Sequence, residues 1–284
     1  MGVRVQGKVA AITGGASGFG AATARLMAAE GASVIVADLQ EERGRRVAES
    51  IGGRAVFVRT DVSKEDDVAA LVDTAVTSFG KLDVMFNNAG IVGAVGPIDE
   101  IPLDEYEFTM GVLLRSVFLG MKHAARVMKA QESGVIVSTS SIAGVMGGLG
   151  PHVYTAAKSA ILGLTRNVAA ELGPWGVRVA AIVPGNHATE MTADVSVGDY
   201  TAVERAAEVF RERKTPLRGR AGIADDIARA ALWLASDDAG FVSGTALVVD
   251  GGLTTGSREA AERGQGTFGA RKPLIRQAGL RGIG

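Results

Sequence analysis

Short apolar runs rich in β-branched residues alternate with longer, alanine-rich segments of helical period along this chain. The alternation is typical of repeated βαβ units, and runs without a polar face fit strands that helices cover on both sides. Because such crossovers are right-handed, the pattern predicts an α/β fold with a doubly wound parallel sheet. About seven strands are predicted, at 9–13, 33–37, 55–59, 84–86, 134–138, 178–183 and 246–249. Helices are predicted at 18–30, 64–79, 106–129, 154–172 and 224–235.

Charge and residue usage exclude several classes of function. The 30 Lys and Arg residues balance 31 Asp and Glu, so the formal charge of −1 gives no electrostatic case for nucleic acid or a membrane surface. Cysteine is absent and three separated histidines form no ligand cluster, so no metal site is expected. No signal-peptide core opens the chain and no apolar stretch approaches ~20 residues. We expect a cytoplasmic protein with a small-molecule partner.

The first predicted strand runs into a glycine-rich turn that opens a helix of small residues. Glycines let the backbone turn sharply and let a pyrophosphate approach, and the amides at the helix N-terminus then face the phosphates. An ordinary tight turn is the alternative, because the chain has 39 glycines. The context favours a Rossmann-like dinucleotide site. The turn residues expected to contact the cofactor are Gly14, Ser17, Gly18, Phe19 and Gly20.

An acidic residue follows the second predicted strand. Asp38 lies eighteen residues after Gly20, close to where a dinucleotide fold places a carboxylate on the adenosine ribose. A helix cap or a solvated turn acid is the alternative. A carboxylate accepts hydrogen bonds from a ribose 2′-hydroxyl but repels a 2′-phosphate, and the neighbouring Leu39 is uncharged. We therefore predict NAD rather than NADP, with Arg43 and Arg45 the only nearby residues that argue otherwise.

Further motifs follow at regular intervals. They are Asp61-Val62, Asn87-Asn88-Ala89-Gly90, Ser140-Ser141, Tyr154-Thr155-Ala156-Ala157-Lys158, and Pro184-Gly185 followed by Thr189. Together with the glycine turn they resemble the classical short-chain dehydrogenases/reductases over residues 8–252. The resemblance implies an NAD-dependent alcohol dehydrogenase, or ketone reductase. It also implies a homotetramer, with a dimer as the alternative, that assembles through the helix at 224–235 and the strand at 246–249.

The resemblance further implies the remaining cofactor contacts. They are Asp61, Val62, Asn88, Ala89, Gly90, Tyr154, Lys158, Pro184, Gly185 and Thr189. Asp61 and Val62 are expected to bracket the adenine, and Thr189 is expected to reach the nicotinamide carboxamide. The run at 148–154 also looks like the subgroup that acts on cyclic and terpenoid-like alcohols.

Tyr154 and Lys158 lie four residues apart on a predicted helix, so both side chains leave the same face. A lysine cation beside a phenol favours the phenolate and should bring the pKa of Tyr154 toward the working range, so Tyr154 can act as the general acid and base. Ser141 follows a predicted strand, where its hydroxyl can hold the substrate oxygen. Taken alone, the pair fits a surface contact and the serine fits a turn. Their joint occurrence after the nucleotide motifs favours catalysis.

The sequence departs from the family at one position. The family usually has an asparagine in the long central helix that helps hold a water linking the lysine to solvent, and Leu113 stands there. We hypothesise that backbone carbonyls of a kinked helix near Leu113 hold this water instead. The alternative is that Leu113 is plain core and that the proton leaves by another path.

The expected organisation is a dinucleotide-binding catalytic domain at 1–253 with a substrate loop at about 187–220, followed by a basic Gly/Arg-containing tail at 254–284. Apolar residues in and near the loop indicate a bulky, cyclic and lipophilic secondary alcohol or ketone. They are Val92, Val95, Ile142, Met146, Leu149, Met191, Val195, Val197, Tyr200 and Phe210. The alternatives are an NADPH-dependent ketoacyl-thioester reductase and a non-catalytic dinucleotide sensor. For His152 and His187 a substrate contact is one interpretation, and an ordinary turn or surface position is favoured over it.

Overall fold

The computed structural model describes residues 3–212, 217 and 220–255. The seven strands of the main sheet are β1 Val9–Thr13, β2 Ser33–Asp38, β3 Ala55–Arg59, β4 Val84–Asn87, β5 Gly134–Thr139, β6 Val177–Pro184 and β9 Ala246–Val249. Strands β7 His187–Ala188 and β8 Gly222–Ile223 form a separate small sheet. All seven strands of the main sheet are parallel and lie in the order β3-β2-β1-β4-β5-β6-β9. This order confirms the predicted doubly wound fold. Each predicted strand end lies within one residue of the observed end.

Helices cover both faces of this sheet. They are α1 Gly18–Ala29, α2 Glu41–Ile51, α3 Glu65–Phe79, α4 Leu103–Met110, α5 Ser116–Gln131, α6 His152–Leu172, α7 Glu190–Val197, α8 Val203–Glu212 and α9 Ala224–Ala235. The apolar sides of α1, α2 and α9 pack with one face of the sheet, and those of α3, α5 and α6 pack with the other. The two helix layers explain why the strands have no polar face.

The central strands are buried on both faces. On β1, Ala10 and Ile12 join one apolar cluster, whereas Val9 and Ala11 join the cluster on the opposite face. Successive strand residues point to opposite sides, so a run of apolar residues is what a central strand requires. The edge strands β3 and β9 are less buried, because each has a neighbour on one side only.

The predicted helix at 106–129 differs from the observed structure. It begins at Leu103, and a π-helical turn at Gly111–Arg115 separates α4 from α5. The Ser116 hydroxyl donates a hydrogen bond to the Val112 carbonyl oxygen at 2.5 Å beside this turn. A π turn adds one residue to one helical turn, and the apolar pattern is too coarse to show this.

The predicted substrate loop has secondary structure of its own. It contains α7, α8 and β7 His187–Ala188, and β7 pairs in parallel with β8 Gly222–Ile223, just past the predicted end of the loop. Ala188, Ala193, Ala206 and Phe210 of this loop form a separate apolar cluster with Ala221, the residue that follows it. Of the predicted tail, only Thr254 and Thr255 are described, in a 3₁₀ turn at Leu253–Thr255, and residues 256–284 lie outside the described part.

Candidate active site

A cleft of about 360 Å³ opens at the carboxyl ends of the strands, beside the point between β1 and β4 where the strand order reverses. Open α/β sheets bind ligands at this point, because the loops on its two sides diverge and leave a crevice. The predicted site residues that line the cleft are Gly14, Ser17, Gly18, Phe19, Asp38, Leu39, Val62, Asn88, Ala89, Gly90, Ser141, Tyr154, Lys158, Pro184, Gly185 and Thr189. Gly20 and Asp61 are not among its lining residues.

The glycine turn is too crowded for side chains. Gly14 has a φ of 63°, and a Cβ there would lie 2.8 Å from the Ala89 Cα. A Cβ on Gly20 would overlap the Gly14 carbonyl oxygen. Gly20 therefore allows α1 to pack on the turn, and Gly14 allows the loop after β4 to do so, whereas Gly18 lacks a Cβ where the turn faces Thr189 across the cleft.

Asp38 ends β2 inside the cleft and is 8% exposed. Its Oδ2 accepts a hydrogen bond from the Ala16 amide at 3.0 Å, and its Oδ1 accepts one from the Gln40 amide at 2.9 Å. These amides fix the carboxylate on the cleft wall. Arg43 and Arg45, the residues that could favour NADP, each have a carboxylate partner, Glu190 at 3.1 Å and Glu41 at 2.6 Å respectively.

Asn88 joins the ends of three strands. Its side-chain amide donates to the Thr13 carbonyl oxygen at 3.1 Å, and its Oδ1 accepts from the Thr139 hydroxyl at 3.2 Å. The backbone amides of Asn88 and Ala89 both donate to the Thr13 hydroxyl. This network fixes the loop after β4 against the glycine turn.

Asp61 is not among the residues that line the cleft. Its Oδ1 accepts hydrogen bonds from the Ser63 hydroxyl and amide at 2.6 and 3.0 Å, and the first of these lowers its pKa. The carboxylate thus holds the turn before α3, and the structure does not bring it to the cleft wall as the resemblance implied. Val62 and the unpredicted Thr60 line the cleft instead.

The structure brings Ser141, Tyr154 and Lys158 together. Ser141 follows β5, and its Oγ accepts a hydrogen bond from the Ala143 amide at 3.1 Å. Tyr154 and Lys158 lie one turn apart near the start of α6. The Lys158 ammonium donates to the Thr139 carbonyl oxygen at 2.8 Å and lies 5.5 Å from the centre of the Tyr154 ring.

Burial decides the electrostatics of this group. It raises the pKa of Tyr154, and the hydrogen bond with the Ser141 hydroxyl only partly opposes it. It also lowers the pKa of Lys158 to about 8. Removing water from the phenolate thus outweighs the hydrogen bond with Ser141. That the Lys158 charge brings the pKa of Tyr154 toward the working range stays a prediction.

Leu113 lies in the π-helical turn and is fully buried. A Cβ on Gly90 would lie 3.4 Å from the Leu113 Cδ2 and 3.9 Å from the Lys158 Nζ, so the leucine side chain and the lysine ammonium both lie next to Gly90. The distorted helix that the water hypothesis requires is present. Leu113 is also a core residue, as the alternative interpretation states.

The segment after β6 forms the other wall of the cleft. A Cβ on Gly185 would lie 2.6 Å from the Asp250 Cβ, so this position requires glycine. Thr189 caps α7, and its hydroxyl accepts a hydrogen bond from the Thr192 amide at 3.4 Å. His187 is buried, not at the surface as expected, and its ring meets the Phe19 ring edge-on at 5.5 Å.

Sequence reasoning missed part of the cleft wall. The missed lining residues are Gln40, Thr60, Ile91, Val112, Thr139, Ser140, Glu190 and Thr192. Met191 and His187 also line the cleft, and the sequence suggested them only as substrate contacts. Most of the missed residues adjoin a predicted motif residue, and proximity to a strand end is the signal that could have found them. Val112 gives no such signal, because the π turn directs it to the cleft.

The apolar residues predicted to contact substrate lie in different environments. Met191 lines the cleft, whereas Phe210 is buried inside the substrate-loop segment. Val95, Val195 and Tyr200 are exposed. For most of these residues, packing within the loop or exposure at the surface describes them better than substrate contact does.

The described residues include neither a metal-binding cluster nor a membrane-spanning helix. No group of three or more histidine, cysteine, aspartate or glutamate side chains that could hold a metal ion occurs there. Within the same residues, no helix has the length and apolar character needed to cross a membrane.

Known proteins resemble this chain over most of its length. A family model described as enoyl-(acyl carrier protein) reductase matches residues 14–254. Tropinone reductase-like 2 of Erythroxylum coca is 46% identical over 88% of this chain and 92% of its own. (+)-Borneol dehydrogenase 2 of Salvia officinalis is 44% identical over 89% and 91%. The crystal structure of levodione reductase superposes with a TM-score of 0.80 at 34% identity, covering 89% of this chain and 99% of that one.

These similarities span the glycine turn, the strand ends and the residues around Tyr154, which together form the cleft. The chain belongs to the short-chain dehydrogenase/reductase family of oxidoreductases, whose members bind a nicotinamide dinucleotide.

Proposed function

We propose that this protein is an NAD-dependent alcohol dehydrogenase that interconverts a bulky, cyclic, lipophilic secondary alcohol and its ketone. One observation carries the proposal: Tyr154, hydrogen-bonded to Ser141 and one helical turn from Lys158, lies in the same cleft as the glycine turn and Asp38. The cleft thus joins a proton-transfer group to a place for a dinucleotide.

The cleft fits the dinucleotide in two respects. A Cβ at Gly18 would lie 3.5 Å from the Thr189 Cβ, between the two walls of the cleft, and the amides at the start of α1 suit a pyrophosphate. Asp38 is held by two backbone amides where it would bind the ribose hydroxyls and repel a 2′-phosphate. When bound, the nicotinamide supplies the hydride transfer to or from the carbon that bears the substrate oxygen.

The protein groups handle the proton. In the reducing direction Tyr154 donates its phenolic proton to the carbonyl oxygen, and in the oxidising direction the phenolate accepts the alcohol proton. The Ser141 hydroxyl, beside the phenol, holds the substrate oxygen. Lys158, buried and held by the Thr139 carbonyl oxygen, stabilises the phenolate through its charge and would orient the nicotinamide ribose.

Two observations support a cyclic, lipophilic substrate. Ile91, Val112 and Met191 line the cleft that contains Tyr154. The relatives named for tropinone, borneol and levodione are named for cyclic compounds. We infer that the apolar end of the cleft takes a ring of this kind.

A panel of substrates tests the proposal. Purified protein would be offered cyclic and aliphatic secondary alcohols with NAD and, separately, with NADP, and the reduced cofactor would be followed by absorbance. We expect turnover of cyclic alcohols with a higher kcat/KM for NAD. A preference for NADPH and a ketoacyl thioester would favour the thioester reductase, and nucleotide binding without any turnover would favour the sensor.

We also propose that the enzyme is a homotetramer, with a dimer as the alternative. The apolar residues of α9 mostly face the monomer core, but the edge strand β9 leaves Val248 43% exposed. A second apolar surface, which includes the half-exposed Phe118, lies between α5 and α6, and its lining residues are Met110, Leu114, Arg115, Phe118, Ala160 and Leu164. Two separate apolar surfaces suit the two kinds of contact in a tetramer with twofold symmetry.

A further inference from the structure

Glu190, the first residue of α7, reaches across the cleft to the glycine turn. Its Oε2 accepts a hydrogen bond from the Gly18 amide at 3.0 Å. Its Oε1 lies 3.1 Å from the Arg43 Nη2, and both side chains are about 30% exposed. One carboxylate therefore connects the glycine turn, α2 and the start of the substrate-loop segment.

The Gly18 amide is the first of α1. Free amides and the helix dipole make this end of a helix attractive to anions, and in a dinucleotide fold the pyrophosphate lies there. A carboxylate offers the same chemistry as a phosphate oxygen, namely a negative charge that accepts the amide hydrogen bond. The Gly18 amide cannot serve Glu190 and a phosphate at full strength together.

We propose that Glu190 is an internal competitor for the cofactor's pyrophosphate, and that a bound dinucleotide displaces its carboxylate from Gly18. The inference rests on the proposed function, because it takes the cleft to be a dinucleotide site. Glu190 is a positioning residue in this scheme and takes no part in the chemical step.

Displacement of Glu190 from Gly18 should affect the substrate end of the cleft, because the residues next to Glu190 cap α7 and line the cleft. Thr189 before it and Thr192 after it form the cap of α7, with the Thr192 hydroxyl also donating to the His187 carbonyl oxygen at 2.7 Å. Met191 follows directly and lines the cleft. Moving Glu190 off the glycine turn thus loosens the tie between the cofactor turn and the segment that borders the substrate end of the cleft.

Arg43 sets how firmly Glu190 is held. Its guanidinium also donates to the Gln40 Oε1 at 3.1 Å and lies 6.0 Å from the centre of the Tyr200 ring. These contacts hold the cation beside the cleft. The competing carboxylate is therefore anchored at both oxygens, and losing its charge should strengthen phosphate binding.

Isothermal titration with ADP and with adenosine tests the proposal, using the full-length protein and its Glu190→Gln and Glu190→Ala variants. ADP carries a diphosphate, whereas adenosine fills only the nucleoside part of the site. We expect Glu190→Gln to lower the Kd for ADP about threefold or more, since a charge at a helix N-terminus contributes on this scale, and Glu190→Ala to lower it at least as much. The Kd for adenosine should change less than about twofold.

Glu204→Gln, in the exposed first turn of α8, is the matched control for loss of one negative charge and should leave both Kd values unchanged. Circular dichroism and Tm would verify that each variant is folded. An unchanged or higher Kd for ADP in both Glu190 variants overturns the inference, as does an equal gain for adenosine. If the unaltered protein binds neither ADP nor NAD, the proposed cofactor site fails together with the inference. If the protein binds ADP with a Kd that does not depend on Glu190, only the inference about Glu190 fails, and the proposed cofactor site stands.

Discussion

At the residue scale, two buried groups with opposite pKa shifts define the proposed chemistry. Burial holds the proton on the Tyr154 phenol and weakens the hold of Lys158 on its own proton. Both shifts favour the neutral form of each side chain, because a cleft wall solvates charge poorly. Tyr154 is thus suited to donate a proton at neutral pH.

Tyr154→Phe removes this proton donor and leaves the ring. We expect kcat to fall about 10²- to 10⁴-fold, the range for loss of a general acid, while the Kd for NAD changes little. Steady-state kinetics and titration calorimetry would measure the two quantities. The half-exposed Tyr106 provides the control variant Tyr106→Phe, which should keep normal turnover, and comparable turnover in Tyr154→Phe would remove Tyr154 from the mechanism.

The pH dependence should differ between the two directions. A raised pKa means that Tyr154 stays protonated to higher pH, so kcat/KM for alcohol oxidation, which needs the phenolate, should rise with pH from neutrality. Ketone reduction, which needs the phenol, should be flat near neutrality. Above about pH 8 the loss of the Lys158 charge should lower the rate of reduction and flatten the rise in oxidation. Ser141→Ala, which removes the opposing hydrogen bond, should move the oxidation profile to higher pH. An oxidation rate that declines above neutrality contradicts this assignment.

At the element scale, helix geometry places side chains that the sequence pattern cannot. The π turn at Gly111–Arg115 brings Val112 to the cleft and leaves Leu113 in the core near Lys158.

Elsewhere, close packing of a helix on a strand depends on glycine. A Cβ on Gly120 of α5 would overlap the buried Asn87 Oδ1.

Leu113→Asn tests whether the family's asparagine matters here. If backbone carbonyls of the distorted helix hold the relay water, the pH profile and kcat should change less than about twofold, while burying an amide lowers the free energy of unfolding by about 2–4 kcal/mol. The buried Leu119 of α5 supplies the control Leu119→Asn, with a similar stability loss and no change near Lys158. A large increase in kcat specific to Leu113→Asn would show that the leucine obstructs the proton path.

A pair of helical glycines tests the packing argument. Alanine favours a helix by about 0.5–1 kcal/mol over glycine, but overpacking costs about 1–3 kcal/mol. Gly120→Ala should therefore lower the free energy of unfolding, because its methyl group meets Asn87. Gly163→Ala in α6, where the added Cβ has no atom within 4 Å apart from its chain neighbours and the nearby backbone of its own helix, should raise it. Denaturant titration would compare the two, and equal effects would contradict the packing argument.

At the scale of the whole molecule, the sheet order produces the site and leaves surfaces for assembly. The reversal between β1 and β4 opens the cleft, and the substrate-loop segment with its own apolar cluster closes one side of it. Away from the cleft, Val248 on β9 and Phe118 on α5 remain exposed.

Two charge substitutions test the proposed tetramer. If one surface serves each type of twofold contact, Val248→Glu and Phe118→Glu should each give dimers, and the double variant should give monomers, because a buried unpaired charge opposes association. Light scattering during size-exclusion chromatography would measure the masses. Val3→Glu, at an exposed apolar residue near the amino terminus, should remain tetrameric. A monomeric unaltered protein would refute the assembly.

Local sequence determined the strands of this protein and its glycine turn. Buried strands need apolar residues at successive positions, so strand ends such as Thr13 could be predicted within a residue, and Gly14 marks a turn that only glycine can form. Tertiary structure decided the rest. The contact of Glu190 with Gly18 joins residues 172 positions apart, and burial in the cleft sets the sign of the Tyr154 pKa shift. Such features come from packing between distant segments, and the order of residues along the chain carries no direct signal for them.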